Sequence, residues 1–335
     1  MYYIIALVIL VLLELGYFRL AKHFGIGDKP NARSSHKYVT VRGGGIIFLL
    51  GVWLWAAFSG WQYPWFLAGL TLVAIVSFMD DVHAVPNSVR LVVQFLSVFL
   101  MFYQLGILNG NLWWVALPAS VVCVGITNAF NFMDGINGIT GGYSLAVLIP
   151  LLLVNGFENI VEGISFMDGS LLIVLMLSVL VFCFFNFRTK AKCFAGDVGA
   201  ISIAFALIFA IGLLIVKTGD FSYIMFVALY GVDTVLTIVH RIQLREPLGE
   251  AHRKHAYQLM ANELKIPHVW VSAIYMALQL LISLGLIYLP VNHYLYAFVV
   301  LVILSLGYLF FIKKYYHLHR EYLQSLKDNQ KQPEA

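Results

Sequence analysis

The sequence predicts an all-α fold, namely a polytopic integral membrane protein with about eleven transmembrane helices. Of its 335 residues, 61% are hydrophobic and only 11% are charged, and the mean hydropathy is +0.86. Apolar runs recur along the chain, and about 20 apolar residues suffice for a helix to cross the hydrocarbon layer. The predicted spans are residues 2–20, 43–59, 64–79, 90–106, 112–129, 138–154, 169–186, 199–217, 221–239, 269–289 and 293–312.

The Lys and Arg residues are distributed unevenly over the two sides that eleven spans create. All of the 21 basic residues except Lys217 fall on the side of the C-terminus. Because cytoplasmic loops carry the excess of positive charge, the N-terminus is predicted outside and the C-terminus in the cytoplasm. The net charge of +4 follows from this sorting and does not indicate a nucleic-acid partner.

The long polar connections all lie on the predicted cytoplasmic side. Residues 1–312 are predicted to form a multi-span catalytic domain, whose site is built from loops 21–42, 80–90, 130–137, 187–198 and 240–268. In the last of these loops a helix is predicted from Glu250 to Leu264, which would put His252 and His255 on one face. Residues 313–335 are predicted to be an amphipathic tail along the inner membrane surface.

Asp80 and Asp81 close the third predicted span. Adjacent carboxylates at a membrane edge repel each other unless a proton or cation compensates them, and Mg²⁺ holding phosphate oxygens is a common solution. The competing interpretation is a solvated pair at a helix end. Arg90, the next basic residue along the chain, is a candidate substrate ligand.

Short polar side chains cluster after the fifth predicted span, at Asn128, Asn131, Asp134 and Asn137. Amide and carboxylate oxygens at this density suit a hard cation, or the hydroxyls and ring amides of a ligand. A capped helix end is the alternative, because Asn, Asp and Gly all favour turns.

Two further segments have the composition of a phosphate site. Asp197 and the aromatic Phe194 precede the eighth span, where Asp197 is a candidate metal ligand or a helix cap. The segment Arg42-Gly43-Gly44-Gly45, preceded by His36, allows backbone amides to approach an anion.

Asp233 lies inside the ninth predicted span, and Arg241 lies at its end. An unpaired acid there would be costly, so it is either functional or paired with a base. The last of the cytoplasmic loops, 240–268, is called the late loop below. It contains His252, Arg253 and His255, which could bind a diphosphate or form a solvated basic face.

Taken together, these motifs resemble those of the polyprenyl-phosphate N-acetylhexosamine-1-phosphate transferases, in the same order along the chain, from about Asp28 to Gln258. The resemblance implies that Asp80, Asp81 and Asp134 are catalytic, with Asp80 and Asp81 near the attacking lipid phosphate. It makes Asp197 a ligand of Mg²⁺ or Mn²⁺, with Asn131 as a second ligand. The implied substrate-binding residues are His36, Arg42, Arg90, Asn128, Asn137, Phe194, Asp233, Arg241, His252, Arg253 and His255.

The late loop reads His252-Arg-Lys-His255, whereas the phospho-N-acetylmuramoyl-pentapeptide transferases of this superfamily have three consecutive histidines there. The resemblance therefore implies the branch that starts O-antigen, teichoic-acid or related surface polysaccharides. Its members transfer N-acetylhexosamine 1-phosphate from a UDP-sugar to undecaprenyl phosphate and release UMP at the cytoplasmic face of the bacterial inner membrane. The pentapeptide transferase and a secondary transporter remain alternative functions, and a homodimer is an open question.

Overall fold

The computed structural model describes residues 2–28, 39–109, 113–156, 163–247 and 252–331, with side chains as far as Ser325. Within these ranges the chain is a bundle of α-helices. They are α1 (Tyr2–His23), α2 (Ile46–Ser59), α3 (Pro64–Val82), α4 (Asn87–Gln104), α5 (Ala116–Met133), α6 (Ile139–Asn155), α7 (Gly169–Asn186), α8 (Gly196–Thr218), α9 (Ala228–Gln243), α10 (Ala256–Asn262), α11 (His268–Tyr288) and α12 (His293–Lys331). Short 3-10 turns occupy Ile107–Asn109, Trp113–Val115 and Phe221–Val227.

Each of the eleven predicted spans coincides with one long helix, and the additional helix is the seven-residue α10. Among the residues that the structure describes, eight segments are long and apolar enough to cross a membrane. Two further apolar helices are shorter, α2 and α6. The prediction of a multi-pass helical membrane protein is therefore confirmed, whereas the count of eleven crossings and the orientation stay predictions.

Helix α8 lies at the centre of the bundle. It has the largest buried share of the candidate spans, and it packs against α2, α3 and α5. Its start touches the start of α2 so closely that a Cβ atom added to Gly45 would lie 2.3 Å from the Cα atom of Gly199. This backbone contact brings the segment before α2 next to the first turn of α8.

The segment before α2 forms the only two strands within the described ranges, β1 (Gly27–Asp28) and β2 (Thr40–Val41), which pair antiparallel. Val41 also bridges to Cys193, just before α8. The amides of Gly44 and Gly45 donate to the carbonyls of Phe194 and Ala195. The prediction that these glycine amides approach an anion is therefore wrong at both positions, because the neighbouring backbone already uses them.

Non-helical backbone precedes α9 inside the bundle. The Gln279 side chain of α11 forms hydrogen bonds with this backbone. Its amide nitrogen donates to the Met225 carbonyl, and its oxygen accepts from the Leu229 amide. The Tyr143 hydroxyl donates to the same oxygen. The buried Gln279 amide thus takes the place of helical hydrogen bonds. Backbone at the depth of the membrane needs such partners, because no water is present to provide them.

Two sequence predictions differ from the structure at the C-terminal end. The late-loop helix begins at Ala256 and not at Glu250, because His255 is its N-cap and His252 lies in the extended segment before it. The tail continues α12 as one helix, and its Tyr316 and His319 are buried against protein. This face of the tail therefore does not lie on the membrane surface.

Candidate active site

The helix ends described above bring five charged side chains together. Asp80 and Asp81 end α3, Arg90 begins α4, Asp197 begins α8, and Arg42 follows β2. We call this group the carboxylate–guanidinium cluster. The exposed fractions of its side chains decrease from Arg42 (34%) through Arg90 (20%), Asp197 (14%) and Asp80 (11%) to Asp81 (0%).

Asp81 is the fully buried member of the cluster and anchors the start of α8. Its Oδ1 atom accepts from the Asp197 amide at 2.9 Å, and its Oδ2 atom accepts from the Val198 amide at 3.0 Å. The Arg42 Nε atom donates to Oδ1 at 2.6 Å. A carboxylate suits the N-terminus of a helix, where amides lack partners and the dipole is positive. Asp81 therefore fixes the geometry of the cluster.

Asp197 and Asp80 face each other across the cluster, and their side chains interact. Arg90 pairs with both, through Nη1 to Asp80 at 2.6 Å and Nη2 to Asp197 at 3.1 Å. Arg42 Nη2 lies 3.2 Å from the other oxygen of Asp197. Two guanidinium groups thus hold three carboxylates at a partly open surface.

Of the Asn side chains near the end of α5, one contacts the cluster and another bonds to α4 and to its own helix. Asn131 donates to Asp197 at 3.3 Å and so belongs to the cluster. Asn128, one turn earlier, donates to Gln94 at 2.7 Å and to the Val124 carbonyl. The structure therefore brings Asn131 but not Asn128 into contact with the predicted metal ligand.

Asp134 follows α5 and is half-buried beside the cluster. Thr140 donates to its Oδ1 atom at 2.6 Å, and Asp81 and Arg42 are its charged neighbours. Burial is the largest cause of a rise in the pKa of Asp134 to about 6, with the Thr140 hydrogen bond acting against it. Asp134 therefore titrates within a range that enzymes use for acid–base work.

Asn137 and Phe194 occupy structural positions. Asn137 is buried and donates to the carbonyls of Arg188 and Thr189, which fixes the turn after α7. Phe194 is half-buried, and its backbone pairs with Val41 and Gly44. The substrate-binding roles that the resemblance implies for them stay predictions. His36 lies outside the described residues.

The late loop meets α9 in a second, closed group of side chains, which we call the Asp233 network. Asp233 Oδ1 lies 3.2 Å from His255 Nδ1 and accepts from the Ala256 amide at 3.1 Å, and Oδ2 accepts from the Tyr275 hydroxyl at 2.6 Å. Thr237 bonds to both Asp233 and the Tyr308 hydroxyl. All of these side chains are buried. The paired interpretation of Asp233 is thus the observed one, and its partner is His255.

The other late-loop residues lie around this network. His252 stacks on His255 with ring centroids 5.1 Å apart, and burial beside basic neighbours lowers the pKa of His252 to about 3. A ligand would therefore meet a neutral imidazole. Arg253 pairs with Glu263 at 3.3 Å. Arg241 donates to the Pro247 carbonyl and lies 3.5 Å from Glu246.

Tyr257 connects the two groups. Its hydroxyl donates to the Phe132 carbonyl at 2.9 Å, and a Cβ atom added to Gly135 would lie 2.2 Å from it. The turn that carries Asp134 therefore rests on the helix that follows His255. No motif in the sequence signals Tyr257, because one tyrosine in an aromatic-rich chain has no distinguishing pattern.

Glu14 is a further buried acid that the sequence analysis missed. It lies in α1, 1% exposed, and its Oε1 atom is 3.7 Å from Cys193 Sγ under the Gly44 turn. An acid inside a predicted span is a signal for function or pairing, so this residue could have been found.

The donor set of the cluster fits a hard divalent cation. Carboxylate and amide oxygens are the ligands that Mg²⁺ and Mn²⁺ prefer, and Asp197, Asp80 and Asn131 supply them. The three acids of the cluster would repel one another without compensating charge, which a cation can supply. Within the described part of the chain no three His, Cys, Asp or Glu side chains are grouped to hold a metal, and Arg42 and Arg90 contact the oxygens of Asp197 instead.

Comparison with known proteins identifies relatives that are similar over most of this chain. The family model "Glycosyl transferase family 4" matches residues 63–217. A probable undecaprenyl-phosphate N-acetylglucosaminyl 1-phosphate transferase of Bacillus subtilis is 27% identical over 72% of this chain and 72% of its own length. An undecaprenyl-phosphate alpha-N-acetylglucosaminyl 1-phosphate transferase of Escherichia coli O157:H7 is 24% identical over 88% of this chain and 84% of its own length.

A phospho-N-acetylmuramoyl-pentapeptide-transferase of Thermotoga maritima is also similar, with 28% identity over 58% of this chain and 67% of its own length. The family match spans Asp80, Asp81, Arg90, Asn131, Asp134 and Asp197, and it ends before the late loop. The resemblance to polyprenyl-phosphate N-acetylhexosamine-1-phosphate transferases is therefore confirmed, with residues 63–217 similar to the glycosyl transferase family 4 model.

Proposed function

We propose that this protein transfers an N-acetylhexosamine 1-phosphate from a UDP-sugar to undecaprenyl phosphate, giving a polyprenyl diphosphate sugar and UMP. The observation that carries the proposal is the carboxylate–guanidinium cluster, which holds two arginines and three acids within one partly exposed group. The names of the relatives support the same reaction class. We further propose that this is the first membrane step of a surface polysaccharide, at the cytoplasmic face of the bacterial inner membrane.

In this reaction an oxygen of the lipid phosphate attacks the β-phosphorus of the UDP-sugar. The bond from that phosphorus to the bridging oxygen breaks, and UMP leaves with the oxygen. The chemical need is charge neutralisation and in-line positioning. Arg42 and Arg90 supply planar donors for phosphate oxygens, and both side chains are exposed enough to exchange a carboxylate for a phosphate.

The acids of the cluster have separate roles in this proposal. Asp81 positions α8 and Arg42, since its oxygens already accept three hydrogen bonds. Asp80 lies next to Asp197 in the cluster, and we propose that Asp80 takes the last proton of the lipid phosphate. Asp197, with Asn131, would hold Mg²⁺. When bound, the ion would stabilise negative charge on the diphosphate.

Asp134 lies beside this group, and the Thr140 hydroxyl donates to its carboxyl. We propose that its ionised form contacts the nucleotide sugar. A two-step route, in which an aspartate attacks first and gives a phosphosugar-enzyme intermediate, is the alternative to direct transfer. Labelled sugar phosphate trapped on the protein without lipid would support the two-step route, and a single turnover that leaves the protein unlabelled would contradict it.

The lipid substrate needs a path from the bilayer. An apolar cavity of about 600 Å³ lies among α4, α5, α8 and the turn before α9, with Ile126, Ile208 and Phe221 in its lining. Its lining on α5 ends two residues before Asn128. We propose that this cavity takes part of the polyprenyl chain.

The pentapeptide transferase is the second candidate, favoured by the Thermotoga maritima relative. The His252-Arg-Lys-His255 loop argues against it. Transport is disfavoured, because the charged cluster is built at helix ends and not on broken helices near the bilayer midplane.

The test supplies purified protein with undecaprenyl phosphate, Mg²⁺ and a panel of UDP-N-acetylhexosamines and UDP-N-acetylmuramoyl-pentapeptide, with Asp197→Asn as the control variant. UMP release that needs both lipid and metal, and that is lost in the variant, would support the proposal and identify the donor. Release of UDP would indicate glycosyl transfer instead. No nucleotide release with any donor would contradict the proposal.

A further inference from the structure

We propose that Lys313–Ser325 of α12, the C-terminal segment, is a positioning element that holds the late loop His252–His255 against Asp233. Through that loop it would prepare the site for the nucleotide sugar, and this last step rests on the proposed function.

Helix α12 is too long to end at the bilayer surface. It has 39 residues, whereas about 20 apolar residues cross the hydrocarbon layer. The apolar run from His293 ends at Lys313 and Lys314, which are exposed. The helix nevertheless continues without interruption. The C-terminal segment therefore extends beyond the apolar part of the helix, where it can contact loops.

Glu263 links the C-terminal segment to the late loop, because it pairs with a residue of each. Its Oε1 atom lies 2.8 Å from His319 Nδ1 and 3.3 Å from Arg253 Nη2. Glu263 follows α10, and its side chain is only 4% exposed, with His319 at 1%. A buried carboxylate needs such partners, because leaving it unpaired is costly.

Aromatic rings of the same segment cover the two basic residues in the middle of the loop. Arg253 lies over the Tyr322 ring, 4.3 Å from its centroid, and Lys254 lies 5.9 Å from the Tyr316 centroid. Lys254 also pairs with Glu246 at the end of the preceding helix. Cation–π contacts of this kind are stronger when the cation is desolvated, and here both side chains are nearly buried.

The segment is continuous with the support of Asp233 itself. Tyr308 reaches the Asp233 network through Thr237, and Ile312 and Tyr316 pack with Val232 and Leu259. Along α12, positions 308, 312, 316, 319 and 322 recur at helical spacing, so one face makes all of these contacts. His252–His255 thus lie between α9 and α12, and the loop conformation that pairs His255 with Asp233 is supported from the α12 side.

His319 offers a clean test, because His317 is a matched control two residues away with an exposed side chain. His319→Ala removes the partner of Glu263, and His319→Asn retains a donor at the place of Nδ1. Each variant is made in the full chain. The first measurement is the rate at which trypsin cleaves after Arg253 and Lys254, which requires no activity.

We expect His319→Ala to raise that cleavage rate about tenfold and to raise KM for the UDP-sugar about tenfold, which corresponds to the loss of one buried charge-assisted hydrogen bond. KM for undecaprenyl phosphate should stay unchanged. His319→Asn should restore most of both values, and His317→Ala should change neither. Thermal unfolding of each variant in detergent separates loop release from general unfolding.

An unchanged cleavage rate in His319→Ala would overturn the proposal. Faster cleavage with an unchanged KM for the UDP-sugar would overturn the role of the loop in donor binding. If the wild-type protein releases no nucleotide with any donor, the proposed function fails, while the cleavage rates still decide whether the segment holds the loop.

Discussion

The carboxylate–guanidinium cluster and the Asp233 network both pair acids with bases, but their surroundings differ. In the cluster, Arg42 and Arg90 are partly exposed, and each contacts two carboxylates. In the network, Asp233 and His255 are 3% and 2% exposed, and hydroxyls of Tyr275 and Thr237 complete the shell.

The difference indicates which acids can change partners. Partly exposed arginines can release a carboxylate and bind a phosphate at little cost, because ion pairs in contact with water contribute little to stability. A buried acid with four partners cannot release one without a large penalty. We therefore assign substrate contact to the cluster and positioning to the network, and each prediction below tests that assignment.

The largest expected effect is on catalysis. Arg90→Gln leaves Asp80 and Asp197 facing each other without their shared guanidinium, and it removes a donor for phosphate oxygens. We expect kcat/KM for nucleotide release to fall by about 10²- to 10³-fold. Single-turnover release of UMP measures it. Arg188→Gln, which removes a cation over the Phe184 ring, is the matched control and should stay within a few-fold of wild type.

The next effect is on stability and compares two Asp–His pairs. Asp233→Asn disturbs the buried pair with His255 and should lower the free energy of unfolding by about 3 kcal/mol. Asp220→Asn disturbs the partly exposed pair with His293, whose side chains are 22% and 33% exposed, and should cost about 1 kcal/mol or less. Thermal unfolding in detergent compares them, and equal losses would contradict the assignment of the network to positioning.

The smallest effect is on pH dependence. Burial raises the pKa of Asp134 to about 6, so activity that needs its ionised form should fall as the pH falls through about 6. Thr140→Val removes the hydrogen bond that lowers this pKa, and the acid limb of kcat/KM should move up by roughly half a unit to one unit. Ser144→Ala, on the same helix, removes a hydroxyl that donates to the Thr140 carbonyl and not to Asp134, and it should leave the limb unmoved.

Stability should respond to Asp134 with the opposite sign. The folded protein binds this proton more tightly than the unfolded chain, whose Asp side chains titrate near pH 4. The contribution of Asp134 to stability therefore grows as the pH falls from about 6 towards 4 and is lost again as the pH rises. A stability contribution that rises with pH across this window and disappears in Asp134→Asn would contradict the raised pKa.

The sequence predicted the parts of the fold that depend on local pattern. Apolar runs located every long helix, and carboxylates at their ends located Asp80, Asp81 and Asp197. The exceptions have physical causes. The start of α10 depends on the His255 cap, and the buried face of the α12 tail depends on α9 and α10, which its own amphipathic pattern cannot reveal.

The sequence also could not predict which residues, far apart along the chain, form pairs. Nothing near Asp81 indicates that it holds the first amides of a helix 116 residues later, and nothing near Asn128 indicates Gln94 as its partner. Glu263, Tyr257 and Tyr275 act through contacts that exist only once the helices pack.

The contact between Gly45 and Gly199 has a consequence for the range of ligands. Because the two backbones already touch, with no room for even one methyl group, α2 and α8 cannot move closer. The spacing between the Arg42 backbone and Asp197 is therefore set by main-chain atoms, and only the rotamers of Arg42 and Arg90 are free to adapt. A longer or shorter phosphate chain would have to be met by those two side chains, so the cluster should tolerate changes in the sugar far better than changes in the number of phosphates.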